Sequence, residues 1–430
     1  MLIPADIHFP KVALVEQQIP APKVADVSAA IASEFQRQRV AGRLTAGMRI
    51  AVAAGSRGIT GIPRILSAVV GELKRLGAEP FIVPAMGSHG GATAEGQVSV
   101  LHSLGITEQS VGCPIHSSMD TVQIGETPDH IPVLIDKMAS QADGIVVVAR
   151  IKSHTEYSGP VESGLMKMLA IGLGKHQGAL TAHKNAIQFT YRVAIVSVAR
   201  EIIRKSKLLL GVALVENAYD ETAEVVVVWP EDFEETERAL LKQAKALMAR
   251  IPFNVLDVLV VDEIGKEFSG SGMDTNVIGR RMVFGEPEPI NPVITRIVVR
   301  DLSKNTYGSG AGIGLADFTT RRLVDRLDRR PTYLNCLTAM TPEKARIPMT
   351  AESDREAIEW ALLTIGNVPP PLARLMRIKN TMHLEKFYVS EAFMPEIEAD
   401  SRLRVASEWQ PLAFDEKGAL RPEQFGYSPS

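Results

Sequence analysis

The chain has 430 residues, of which 45% are hydrophobic and 23% charged, and its net charge at pH 7 is −3. This length exceeds one ordinary hydrophobic core, so we expect two domains, and the weak negative charge excludes charge-driven binding of nucleic acid. The only two cysteines are far apart in the sequence, which excludes a disulfide framework and favours the cytoplasm. We expect no signal peptide, because the N-terminus has no basic leader followed by an apolar stretch, and no membrane span, because the apolar runs are too short.

Short apolar runs alternate with amphipathic segments through the first 260 residues. This alternation is typical of a mostly parallel α/β sheet flanked by helices. Apolar runs predict strands at 49–54, 80–84, 143–149, 208–215 and 255–261. Helical spacing of apolar residues predicts helices at 62–76 and after the loop Met86-Gly-Ser-His89-Gly-Gly as far as Leu104.

The second part of the chain begins with a polar, glycine-rich stretch over 263–281. A strand-like run at 294–299 and a helical pattern at 317–327 follow it, which predicts another α/β region. We therefore expect an N-terminal α/β domain at 1–260 and a C-terminal α/β domain at 261–430. The active site is expected in the cleft between them, where ligands commonly bind.

Three reactive side chains follow the ends of predicted strands. Arg57, His89 and His154 each lie just after a strand of the first domain. Because the carboxyl ends of parallel strands share one edge of a sheet, these side chains should meet at a ligand site. Arginine holds carboxylates through paired hydrogen bonds, and two histidines can accept and donate protons. The pattern therefore indicates an acid–base site for a small anion.

A lysine inside an apolar run adds a second chemical feature. Lys167 lies within Leu-Met-Lys-Met-Leu, and lysine is rarely buried without a partner. Burial favours the neutral, nucleophilic amine, although a lysine at the edge of an apolar helix can also extend to solvent. His183 follows 16 residues later, and a neutral imidazole there could bind a metal. The residues alone indicate an α/β enzyme with an acid–base site and a reactive lysine.

The arrangement of these residues resembles the nickel-dependent lactate racemase family. That family has an arginine in its first glycine-containing loop, a histidine in a Gly-x-His loop and then a His…Lys…His series. The matching residues are Arg57 in Gly-Ser-Arg-Gly-Ile-Thr, His89 in Met-Gly-Ser-His-Gly-Gly, His154, Lys167 and His183. The chain looks like a divergent branch, since the glutamine and lysine that the lactate enzyme contributes later are replaced by Val-Ile-Gly-Arg-Arg-Met.

The resemblance implies an isomerase, a racemase or epimerase of a small 2-hydroxy acid. It implies hydride transfer to a nickel-pincer nucleotide, a nickel pyridinium-3,5-bisthiocarboxylic acid mononucleotide, which cofactor-biosynthesis proteins supply transiently. Lys167 would be its attachment point and His183 the nickel ligand. His89 and His154 would be the acid–base pair, and Arg57 would hold substrate or cofactor.

Three questions stay open in the sequence. Lys266 or Arg280 is expected to supply a further substrate contact in place of the missing residues. The same lysine would suit an enzyme that forms a Schiff base, and a homologue that binds a hydroxy acid or nucleotide without turnover would keep the fold. A homo-oligomer is also compatible with the sequence.

Overall fold

Two main sheets organise the chain, and a computed structural model describes them over residues 7–56 and 59–421. The strands are β1 Lys11–Gln17, β2 Arg49–Ala54, β3 Glu79–Pro84, β4 Thr121–Glu126, β5 Pro132–Asp136, β6 Gly144–Arg150, β7 Leu208–Glu216, β8 Thr222–Val228, β9 Val255–Ile264, β10 Val293–Leu302, β11 Phe318–Thr320, β12 Met349–Ala351, β13 Leu375–Ile378, β14 Lys386–Ser390, β15 Leu403–Val405 and β16 Gln410–Pro411.

The α-helices have the same alternating distribution along the chain. They are α1 Val27–Arg37, α2 Ile62–Arg75, α3 Ala94–Ser103, α4 Glu108–Val111, α5 Lys137–Ser140, α6 Leu165–Lys167, α7 Lys175–Phe189, α8 Tyr191–Lys205, α9 Phe233–Leu247, α10 Thr275–Ile278, α11 Arg321–Arg326, α12 Arg329–Thr338, α13 Asp354–Leu363 and α14 Met394–Ala399. A π-helical turn at Met168–Leu173 joins α6 to α7.

The chain divides into two compact units. The first unit is Pro20–Met248, and the second combines the residues up to Ile19 with those from Ala249 onward. The division into domains at 1–260 and 261–430 stays a prediction, and β1 pairs with β14 and β15 in the second unit.

The first unit is built on the sheet β3-β2-β6-β7-β8. Its first four strands are parallel, and β8 runs antiparallel at the edge. Residues 50–54 of β2 are all buried, as expected for a strand covered by helices on both faces. Helix α2 buries Ile62, Ile65 and Leu66 and continues with Val69, Val70 and Leu73, which gives the apolar stripe that its spacing predicted. Parallel strands and flanking helices confirm the predicted fold class.

The second unit contains the sheet β12-β11-β10-β9-β13-β14-β1-β15. Strands β9 to β13 pair in parallel, and the pairs from β13 to β15 are antiparallel. The prediction of one helix over 317–327 was wrong at its start. Phe318–Thr320 forms β11 between β10 and β12, and α11 begins at Arg321. Burial of all three strand residues in the sheet outweighs the local helical pattern.

Candidate active site

The loops after neighbouring parallel strands converge on the segment that carries Lys167. In the loop after β3, the Gly87 N–H donates to the Gly172 carbonyl at 3.4 Å. In the loop after β2, a Cβ atom on Gly55 would lie only 2.9 Å from Cε of Met168. Both loops therefore pack against the turn Met168–Leu173 that follows α6. The next loop residue of interest, Arg57, lies outside the described residues.

His89 lies at the surface, on a loop whose backbone is held by hydrogen bonds to buried groups. Its side chain is exposed, while its N–H donates to the Met86 carbonyl at 3.1 Å. The buried amide of Gln97 donates to the carbonyls of Gly87, at 2.9 Å, and His89, at 3.4 Å. An exposed imidazole on a fixed loop can exchange protons with a ligand or with solvent.

A fully buried lysine anchors this loop, and sequence reasoning missed it. Lys175 Nζ donates to the Pro84 carbonyl and to Gln97 Oε1, and lies 2.9 Å from Asp136 Oδ2. Burial lowers the pKa of Lys175, and the Asp136 carboxylate acts in the opposite direction. Both side chains have no exposed surface, so the pair replaces its lost hydration with internal partners. The Lys175 side chain thereby holds the end of β3 at Pro84. Its contact with Gln97 also positions the amide that binds the His89 loop.

The imidazole of His154 is oriented by its own loop. Its backbone N–H donates to Glu162 Oε2 at 2.7 Å, and its ring stacks on Tyr157 with centroids 4.3 Å apart. The Glu156 N–H donates to His154 Nδ1 at 3.0 Å, which makes Nδ1 an acceptor. A neutral imidazole with Nδ1 as acceptor carries its proton on Nε2. The loop therefore selects one tautomer of His154.

That Nε2 atom faces the lysine. Lys167 Nζ lies 2.6 Å from His154 Nε2, and both side chains are half-buried. A proton on Nε2 would be accepted by the lone pair of the amine, which only the neutral form of lysine has. The contact therefore fits a neutral Lys167 amine, the nucleophilic form.

Two stacked tyrosines connect this pair to His183. Tyr157 lies parallel to Tyr191 with centroids 5.6 Å apart, and the Tyr191 hydroxyl is 3.0 Å from His183 Nδ1. Burial lowers the pKa of His183 below its ordinary value, while the Glu156 carboxylate acts in the opposite direction. A neutral imidazole fixed at Nδ1 can offer Nε2 to a metal. His154, Lys167 and His183 thus form one continuous cluster in the first unit.

The two cations proposed for substrate binding belong to the second unit. Lys266 Nζ donates to Asn335 Oδ1 at 2.5 Å. Arg280 donates to the Leu315 carbonyl at 2.8 Å and to Asp317 Oδ2 at 2.9 Å. Arg280 thereby fixes the chain before β11, a structural contact that the sequence did not reveal. A substrate role for either residue stays a proposal.

Two kinds of feature are absent from the described part of the chain, residues 7–56 and 59–421. No helix there is long and apolar enough to cross a membrane. Within the same residues, no group of three histidine, cysteine or carboxylate side chains could hold a metal ion by itself.

Comparisons with known proteins identify a related N-terminal domain and a related fold. Residues 6–192 match the family model described as the lactate racemase N-terminal domain. The solved structure of the lactate racemase apoprotein from Thermoanaerobacterium thermosaccharolyticum aligns with a TM-score of 0.50 and 13% identity, over 85% of this chain and 94% of that one. At this identity the alignment shows a shared fold. No curated protein matches the sequence. The matched segment holds His89, His154, Lys167 and His183, and this match to the lactate racemase N-terminal domain supports a relationship of the chain to the lactate racemase family.

Proposed function

We propose that the protein is a racemase or epimerase of a small 2-hydroxy acid that uses a lysine-tethered nickel-pincer nucleotide. The observation that carries this proposal is the contact between Lys167 and His154. The Lys167 amine lies 2.6 Å from His154 Nε2, and in its neutral form it can attack an acyl or thioacyl carbon and displace the leaving group on that carbon. Racemase activity is also in keeping with the match of residues 6–192 to the lactate racemase N-terminal domain.

The residues of the cluster fit the requirements of that cofactor. Lys167 would hold it covalently, and His183 would coordinate its nickel. Burial keeps His183 neutral, and Tyr191 orients its ring, as partners of metal-bound histidines usually do. When bound, the cofactor supplies an acceptor for the hydrogen on the substrate's Cα atom, which is too weakly acidic to leave as a proton.

His154 and His89 would move the hydroxyl proton of the substrate. In the present structure the Nε2–H of His154 is directed at the Lys167 amine. Once that nitrogen becomes part of an amide-like bond, its lone pair is delocalised and stops accepting hydrogen bonds. Nε2 would then be available to a substrate hydroxyl, accepting its proton in the tautomer protonated on Nδ1 and returning it from the imidazolium, and His89 would serve the opposite face. Attachment at Lys167 would thus prepare His154 for its acid–base role.

Cationic side chains would recognise the substrate. Arg57 would bind the carboxylate, because a guanidinium matches it with two hydrogen bonds. Lys266 or Arg280 would contact the rest of the substrate. A second cationic contact from either residue would suit a dicarboxylate, whereas a mainly apolar pocket would suit an apolar acid. Biosynthetic proteins would load the cofactor, and we also propose a cytoplasmic location, since Cys113 and Cys336 are buried and form no disulfide.

Intact mass tests the attachment. The protein is produced together with the cofactor's biosynthetic enzymes, and its mass and nickel content are measured. We expect a mass increment that maps to Lys167 and disappears in Lys167→Ala. Lys242→Ala, which removes an exposed lysine of α9, should keep the increment. An unmodified protein without nickel under these conditions would refute the proposal.

A Schiff-base enzyme is the second candidate, because the same neutral amine would attack an aldehyde or ketone. It predicts that borohydride reduction in the presence of pyridoxal phosphate or a carbonyl substrate traps an adduct on Lys167. Trapping at physiological concentrations, with no nickel cofactor bound, would favour this candidate. Verified cofactor on Lys167 without any turnover would instead indicate a homologue that only binds its ligand.

A further inference from the structure

A buried glutamate on α9 caps the short helix that ends at Lys167. Glu237 has no exposed surface, and its Oε2 accepts a hydrogen bond from the Met166 N–H at 2.9 Å. A Cβ atom on Gly164 would lie 2.5 Å from the Glu237 carboxyl carbon, so only glycine leaves room for this contact. The carboxyl group therefore fixes the backbone at the residue directly before Lys167.

The same helix also supports the partner of Lys167. Lys245, two turns along α9, pairs with Glu162 Oε1 at 2.5 Å. Glu162 is fully buried, and its other oxygen accepts the His154 N–H at 2.7 Å. Helix α9 is thus connected to Lys167 through Glu237, and to His154 through Lys245 and Glu162.

We propose that α9 sets the distance between the Lys167 amine and His154, with Glu237 as a positioning residue for Lys167. The inference rests on the proposed function in that Lys167 is taken as the attachment residue. Without α9, the amine could move away from Nε2 and return to its protonated, unreactive form. With both connections intact, the contact of 2.6 Å is built into the fold.

Two properties of Glu237 suit this role better than a purely structural one. Its Oε1 is buried and has no hydrogen-bond partner among the described residues, a costly arrangement that an apolar side chain would avoid. Burial also raises the pKa of Glu237 to about 8 against the backbone amides of Met166 and Leu165. With a pKa of about 8 the group is mostly uncharged at neutral pH, so it caps the helix without placing a full negative charge there.

The titratable groups of the cluster beside Lys167 come from two segments. His154 and Glu156 belong to the loop after β6, and His183 belongs to α7. A test of positioning must therefore separate the effect of α9 from the direct effect of these groups. Variants on α9 do this, because they substitute no residue of the loop after β6 or of α7.

The experiment is competitive acetylation of the protein made without cofactor enzymes, read by peptide mass spectrometry as a function of pH. The labelling of Lys167 is compared with that of exposed Lys242 in the same digest. In Glu237→Leu and Lys245→Met, we expect the Lys167 profile to move toward that of Lys242. The labelling rate at neutral pH should fall about tenfold or more, since each pH unit of displacement is a factor of ten.

Two controls and one further test variant make the outcome decisive. Glu237→Gln keeps an oxygen acceptor and should restore most of the original profile, and Glu235→Leu changes an exposed residue of α9 and should leave it in place. If Glu237→Leu does not fold, the Lys167 labelling profiles of Lys245→Met and Gly164→Ala test the proposal instead. An unchanged Lys167 profile in the folded variants would overturn the proposal, as would an equal shift in Glu235→Leu. The acetylation experiment needs no cofactor. Its result therefore does not depend on whether the intact-mass experiment finds a cofactor on Lys167.

Discussion

Replacing Glu237 by glutamine should change how stability depends on pH. Burial raises the pKa of Glu237 from 4.5 to about 8, so between these values the folded protein keeps a proton that the unfolded chain has lost. The free energy of unfolding must then fall as pH rises through this window, and is unaffected by this group below 4.5. At about 1.4 kcal/mol for each pKa unit, the total effect is on the order of 5 kcal/mol. Glu237→Gln carries no such proton and should lack this fall.

Urea unfolding at a series of pH values, followed by circular dichroism, measures the effect. The difference between Glu237→Gln and the original protein cancels the titration of the other groups, which both proteins share. We expect the variant to gain stability relative to the original protein from mildly acidic to alkaline pH. Glu235→Gln, on the exposed face of α9, should run parallel to the original protein. Parallel curves for Glu237→Gln as well would refute a proton held on a buried carboxyl group.

Other residues of the cluster give further predictions. Lys175→Met leaves the Asp136 carboxylate buried without a cation and should cost about 3–5 kcal/mol in urea unfolding, and Asp136→Leu in the same chain should recover much of the loss. Tyr191→Phe removes the partner of His183 Nδ1 and should lower nickel affinity about 10- to 100-fold, measured by competition with a chelator. Burial lowers the pKa of His183, so the unfolded chain binds a proton there more readily than the folded protein does. The free energy of unfolding should therefore decrease as the pH falls below about 6.5, and this decrease should be smaller in His183→Gln.

The sequence was sufficient for the first sheet because its signals are local. Strand β2 is a continuous apolar run, and α2 has apolar residues at helical spacing and ends before Gly77, which adopts φ +85°. In contrast, Phe318–Thr320 is short and resembles the helix that follows it. Its strand conformation depends on pairing with β10 and β12, which lie far away along the chain.

The same distinction separates the site residues that could be predicted from those that could not. Lys167 was conspicuous because a lysine interrupts an apolar run. Glu237 and Lys245 look like ordinary charged residues of an amphipathic helix, and their roles come from contacts with residues 71 and 83 positions away. Lys175 likewise gives no sequence signal of its burial. Partners that are distant in sequence are visible only once the chain is folded.

Transfer of deuterium tests the central claim most directly. Enantiopure 2-hydroxy acids labelled at C2 are incubated with cofactor-loaded protein, and the product's configuration and label are determined. The account predicts inversion of at least one acid with the label retained at C2, and loss of this activity in Lys167→Ala. Inversion with the label lost to solvent would contradict the proposed mechanism, and no inversion across the panel despite a verified adduct on Lys167 would contradict racemase function.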